Sequence, residues 1–200
     1  MTKKFKFRFE PLDMNQIDDR LLLINLYITQ LFTLLLGALI MLFQGRNVFT
    51  LFAPVWNVNV LIWGGAVAVG VLILDLVISN WVPDDVTDDG GVNEKLFKAR
   101  AVWHILVIAL VVSICEEVLF RGAIQHAWGP YWTSILFAAI HFRYLKHWLM
   151  TGMVFGISYT LGWIYTYTGT LWTPILAHFI IDFVLGMVIR FGKGREDEHA

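Results

Sequence analysis

The chain has 200 residues, 58% hydrophobic and 16% charged, with a formal net charge of −1. A soluble domain carries about 25% charged and about 45–50% apolar residues. The composition therefore excludes a water-soluble globule, whose surface needs more charge to stay dispersed, and it points to no nucleic acid partner. The single cysteine, Cys115, excludes a disulfide framework and a multi-cysteine metal site.

Residues 1–19 are too polar for a secretory signal, so the first hydrophobic stretch is expected to be retained. A spanning helix needs roughly 20 mostly apolar residues, because every backbone polar group must be paired inside lipid. Residues 21–43 meet this, as do residues 58–82, which carry the isolated acid Asp75. Residues 83–100 form a polar break that closes an N-terminal helix pair, residues 1–100. A core over residues 101–191 follows, then a polar tail, residues 192–200. Within the core, residues 101–128, 131–148, 149–168 and 171–191 read as spans, with turns at Gly129-Pro130 and Gly169. The expectation is an all-α, polytopic transmembrane bundle of about six spans in the cell membrane.

Lysine and arginine placement follows the alternation such a count requires. The N-terminus (Lys3, Lys4, Lys6, Arg8, Arg20), the second loop (Lys95, Lys98, Arg100), the fourth loop (Arg143, Lys146) and the tail (Arg190, Lys193, Arg195) are rich, whereas the first loop has only Arg46. Both termini are expected in the cytoplasm.

Ionisable groups inside spans need a partner or a purpose. Glu116 lies 13 residues before Gly129 and His141 lies 12 after it, so each sits roughly 18–20 Å from that turn. His178 lies 9 residues beyond Gly169, about 14 Å from a turn on the same side. The three side chains can thus converge in one layer. Glu117 and Arg121, spaced i, i+4, are expected to pair on one helix face, leaving Glu116 turned about 100° away. His178 and Asp182 share a face in the same way. A carboxylate left without a cation suits general-base work on water, and a histidine beside it can orient that water. A second histidine with a polar neighbour can stabilise an oxyanion. The same inventory, one Glu and two His, also matches a zinc site with an open position.

The motif Glu116-Glu117-Val118-Leu119-Phe120-Arg121, then Phe137-Ala138-Ala139-Ile140-His141, then His178-Phe179-Ile180-Ile181-Asp182, occur in this order inside hydrophobic stretches. Together they resemble the EExxxR, FxxxH and HxxxN/D motifs of the CAAX-protease and bacteriocin-processing family of intramembrane proteases (CPBP, or Abi). The likeness covers roughly residues 101–186, and residues 1–100 contribute nothing to it. It implies an intramembrane endopeptidase acting on a protein or peptide at the lipid bilayer. It further implies that Glu116 and His141 activate water and that His178 with Asp182 forms the oxyanion site, with Glu117, Arg121 and Phe137 supporting. No cofactor is certain from the motifs; a zinc, if bound, would be held by Glu116, His141 and His178.

Other readings remain at this stage. The Glu117–Arg121 pair serves equally as a structural ion pair. A non-proteolytic scaffold or bacteriocin-immunity-type protein would keep the same fold. A proton-coupled transporter would show an inverted repeat, and none is present. Asp75, Cys115 and the Gly152/Gly156 pair read as packing features, and His104, His126, His147 and His199 as interfacial or solvated.

Overall fold

The computed structural model of the chain describes residues 18–51, 58–83, 86 and 90–192. The basic run Lys3–Arg8 and the tail residues Lys193, Arg195 and His199 lie outside the described residues. In chain order the elements are α1 (Asp19–Phe43), α2 (Val48–Leu51), α3 (Val58–Trp81), α4 (Val92–Phe97) and α5 (Val102–Glu117). A π-helical segment (Val118–Ile124), α6 (Gln125–Ile140), α7 (Trp148–Thr168) and α8 (Trp172–Phe191) follow. No strand occurs among the described residues.

Helices α1 and α3 turn most of their large apolar side chains outward. On α1 the exposed row is Leu21, Ile24, Ile28, Leu31, Leu35, Leu39 and Leu42, whereas Gln30, Gly37 and Met41 are buried. On α3 the buried face is Gly64, Ala68 and Val71. This is the pattern of helices solvated by hydrocarbon, in which small residues let neighbouring backbones approach and lipid covers the rest.

Four stretches are long and apolar enough to cross a membrane: Asp19–Phe43, Val58–Trp81, Val102–Ile140 and Trp172–Phe191. This is fewer than the six expected, and two local causes account for the difference. First, α7 has 21 residues but is diluted by Thr, Ser, Gly and Tyr. Second, the expected span over residues 131–148 stops at Ile140. Gly129 takes φ 72, ψ 172, a conformation open to glycine, and bends the chain within Val102–Ile140. The chain then runs back along itself, with Pro130 beside Gly162 and the Phe137 ring 4.7 Å from that of Phe120. Pro130 to Ile140 is only about 16 Å of helix, half of a hydrocarbon core about 30 Å thick.

Helix α8 is the hub, packing on α3, α4, α5 and α7, while α1 packs on α5 and the π segment. Gly186 of α8 faces Ile105, and His178 reaches Glu117, so α8 runs antiparallel to α5. The start of α1, α4 and the end of α8 share one face of the bundle. Lys95 lies 3.8 Å from Asp19, Arg190 donates to the Lys98 carbonyl at 2.8 Å, and Lys98 donates to the Gly192 carbonyl. Asn93 brings the 141–147 turn to the same face through Tyr144, at 3.2 Å.

The π segment is the longest enclosed run among the described residues, with residues 118–123 all buried. Its wider winding changes which carbonyls are paired within the helix. Arg46 donates to the Gly122 carbonyl and Gln44 donates to that of Ala123 at 3.0 Å, both from the turn after α1. A Cβ on Gly37 would meet the Leu119 Cα at 2.9 Å, so α1 seats directly on the backbone of this segment. Gly37→Ala is therefore expected to destabilise the chain by about 1–3 kcal/mol. Gly65→Ala, whose Cβ meets nothing within 4 Å, should leave the midpoint of thermal unfolding in detergent unchanged or slightly higher. Equal midpoints for the two variants would contradict this seating.

Candidate active site

The site begins with a charge that lipid would not tolerate alone. Arg121, in the π segment, and Glu117, at the end of α5, are both 0% exposed. Arg121 donates through Nη1 to Oε1 of Glu117 at 3.2 Å, and its Nε lies 3.1 Å from Oε2, off the line of a good hydrogen bond. Nη2 donates to the carbonyl and hydroxyl oxygens of Ser158 on α7, at 2.8 and 3.0 Å. The guanidinium carbon stands 5.3 Å from the centre of the Phe137 ring. The expected i, i+4 ion pair is present, and it is fastened to two further helices.

His178 joins the same pair from α8. Its Nδ1 is 2.8 Å from Oε1 of Glu117, and its Nε2 faces Asp182 at 3.4 Å and Glu116 at 4.0 Å. The spacing put Glu117 with Arg121 and His178 with Asp182; both neighbours are present, and His178 in addition meets Glu117. His178 stands between both glutamates because the ion pair leaves Oε1 of Glu117 able to accept a second hydrogen bond. Glu116 instead receives the Gln30 amide at Oε1, at 3.2 Å, and its side chain is 13% exposed. Asp182, at 31%, is the most open of the acids.

His141 arrives by a different route. It caps α6 with φ −81, ψ 50, and its own N–H turns back to the Ala138 carbonyl. The Phe137 carbonyl, which an uninterrupted helix would pair with that N–H, lies 2.7 Å from Nδ1 of the His141 side chain. Since a carbonyl only accepts, Nδ1 carries the hydrogen, and in the neutral ring the lone pair is on Nε2. His141 also lies near enough to Glu116 for their charges to interact. The Phe137 ring is 4.5 Å from the imidazole and Tyr144 stacks beside it at 6.3 Å. Phe137 therefore touches Arg121, Phe120 and His141 at once, which is why its motif spacing matters.

The donor set does not fit a metal. Both nitrogens of His178 face carboxylates, one nitrogen of His141 is held by a carbonyl, and among the described residues no three His, Cys, Asp or Glu side chains are gathered as ligands.

Two participants were not flagged by sequence reasoning, Gln30 and Ser158. Only ionisable residues were weighed there, but an amide in the middle of the apolar run of α1 is a signal of the same kind. Asp75 stays outside the cluster, half-buried on α3, which supplies none of these contacts. His104 bonds the Tyr27 hydroxyl at 2.9 Å and is half-buried, His126 is exposed, and Cys115 is buried.

An Arg-neutralised glutamate, a second acid and two imidazoles inside an all-helical membrane bundle are the residues that the three motifs supply. Comparison shows the family to which such motifs belong. A family model described as "Type II CAAX prenyl endopeptidase Rce1-like" matches residues 98–184. The uncharacterized protein YpbD of Bacillus subtilis (strain 168) is 43% identical over 143 residues, which cover 72% of this chain and 76% of that protein. No solved structure matches. The chain belongs to the Rce1-like CAAX prenyl endopeptidase (CPBP) family and has its CAAX-type intramembrane protease fold.

Breaking a buried ion pair on one side leaves an uncompensated charge, at a cost of about 3–5 kcal/mol. Arg121→Met should therefore lower the unfolding midpoint steeply, and Glu117→Gln added to it should recover part of the loss. Thermal unfolding of the two variants checks this, and a double variant no more stable than the single one would contradict it.

Proposed function

We propose that the chain is an endopeptidase that hydrolyses a peptide bond of a membrane-associated protein or peptide with water activated by Glu116. The observation that carries this reading is the difference between the two adjacent glutamates. Glu117 is fully enclosed and matched by Arg121, whereas Glu116 makes no ion pair with an arginine among the described residues, is partly open, and points Oε2 at His178 across 4.0 Å. That gap is too long for a direct hydrogen bond, yet a single oxygen atom between the two groups is within reach of both.

In this mechanism water gives a proton to Glu116 while its oxygen attacks the peptide carbonyl carbon. His141, with its lone pair on Nε2, orients the water. His178 is held at Nδ1 by Glu117 and turned by Asp182, and in the reacting state it carries hydrogen at both nitrogens, so that Nε2–H faces the developing oxyanion. Asp182 faces Nε2 at 3.4 Å in the resting site, gives up that hydrogen as Nε2–H turns to the oxyanion, and does not itself donate to it. When the C–N bond breaks, the proton held by Glu116 passes to the leaving amine. Arg121, Ser158 and Phe137 hold these groups without touching the substrate.

The family's description names a CAAX prenyl endopeptidase, and the substrate proposed for this chain is a polypeptide held at the membrane. The shared face carrying Arg20, Lys95, Lys98, Arg100 and Arg190 is the cytoplasmic one in this reading. Both ends of the chain then lie there, and the cleaved bond is reached from that side.

The purified chain incubated with a membrane-protein peptide library should release defined products, with and without a chelator. Glu116→Gln should reduce the rate by about 10²–10⁴-fold with little change in unfolding temperature, and His141→Asn should also be impaired. Identical product profiles from wild type and Glu116→Gln would sink the reading.

A further inference from the structure

Gln30 belongs to α1, a helix outside the family-matched residues 98–184, yet its side chain enters the acid cluster. The residue is 7% exposed. Its amide nitrogen donates to Oε1 of Glu116 at 3.2 Å. Its amide oxygen is buried and has no hydrogen-bond partner among the described residues.

The helix holds Gln30 firmly at this depth. Tyr27, one turn earlier, is bonded to His104 of α5 at 2.9 Å, and Gly37, two turns later, seats against the Leu119 backbone. The register of α1 against α5 is thus fixed on both sides of Gln30. By donating to Oε1, the amide also fixes the rotation of the Glu116 carboxylate and leaves Oε2 as the oxygen turned toward His178.

We propose that Gln30 is a positioning residue of this site, which through its amide N–H fixes the Glu116 carboxylate so that Oε2 faces the attacking water; the inference rests on the hydrolytic reading of the site. A water molecule has two hydrogens. One is accepted by Glu116 and leaves with it; the other is accepted by Nε2 of His141. The water lone pair forms the new C–O bond, the C–N bond breaks, and the proton on Glu116 goes to the amine. The hydrogen directed at His141 stays on the new carboxylic acid until it ionises. Held at both hydrogens, the water presents its lone pair in one direction, which is the positional requirement for attack.

The test uses the full chain and the library peptide that the wild type cleaves fastest. Gln30→Met, close in volume but without the amide, should lower kcat by roughly ten- to a hundredfold with KM nearly unchanged. Gln30→Asn keeps an amide on a shorter stem and should recover part of the loss. A packing role predicts the opposite order, because Asn leaves the larger void. If Gln30→Met fails to fold, Gln30→Leu takes its place in the same comparison. A wild-type kcat in the Met variant, a change in KM in place of kcat, or an Asn variant slower than the Met variant overturns the proposal while leaving the Glu116 reading intact. A wild-type chain that cleaves no library peptide overturns both.

Discussion

The buried contact between Arg121 and Glu117 sets the terms for the rest of the molecule. A guanidinium and a carboxylate at 0% exposure persist in a bundle bathed by hydrocarbon only if their remaining donors and acceptors are used. Here most of them are used, across elements, and Nε of Arg121 and Oε2 of Glu117 face each other at 3.1 Å. Ser158 brings in α7, His178 brings in α8, and the Phe137 ring brings in α6. One pair thereby gathers three helices around the junction of α5 and the π segment. The π winding belongs to the same solution, since it begins directly after Glu117 and contains Arg121. The carbonyls of Gly122 and Ala123 are met by Arg46 and Gln44 from the turn that follows α1.

This arrangement divides two chemically identical neighbours into different environments. Glu116 and Glu117 are consecutive, but one is sealed beside a cation and the other borders an opening with an amide and an imidazole. The separation arises from neighbours on other helices, α1 for Glu116 and the π segment with α8 for Glu117. Cooperation between N-terminal and C-terminal helices is therefore part of the site, although the recognisable motifs all lie after residue 100.

Much of the fold was legible because hydrocarbon imposes a simple rule. Long apolar runs marked α1, α3 and α8 to within two residues at either end. The end of α6 was not legible. No glycine or proline follows Ile140; the helix stops because the His141 side chain takes the Phe137 carbonyl, a tertiary choice that composition does not encode. Depth arithmetic from the two turns did place His178 with the glutamates. It could not say which glutamate would hold Nδ1, because that depends on how Arg121 leaves Oε1 of Glu117 accessible. Gln30 and Ser158 escaped notice because an uncharged amide or hydroxyl in a span looks unremarkable until the group it touches is known.

The half-length of α6 has a consequence for the lipid itself. A full helix presents acyl chains with a wall as tall as the leaflets are thick, whereas α6 presents a wall about 16 Å high and then gives way to the turns of residues 141–147. Bilayers answer such a shortfall by thinning locally, at a cost of fractions of a kcal/mol per ångström of mismatch. Thinning of that kind beside His141 would draw headgroups inward at one edge of the bundle, bringing the polar surface closer to the turns of residues 141–147.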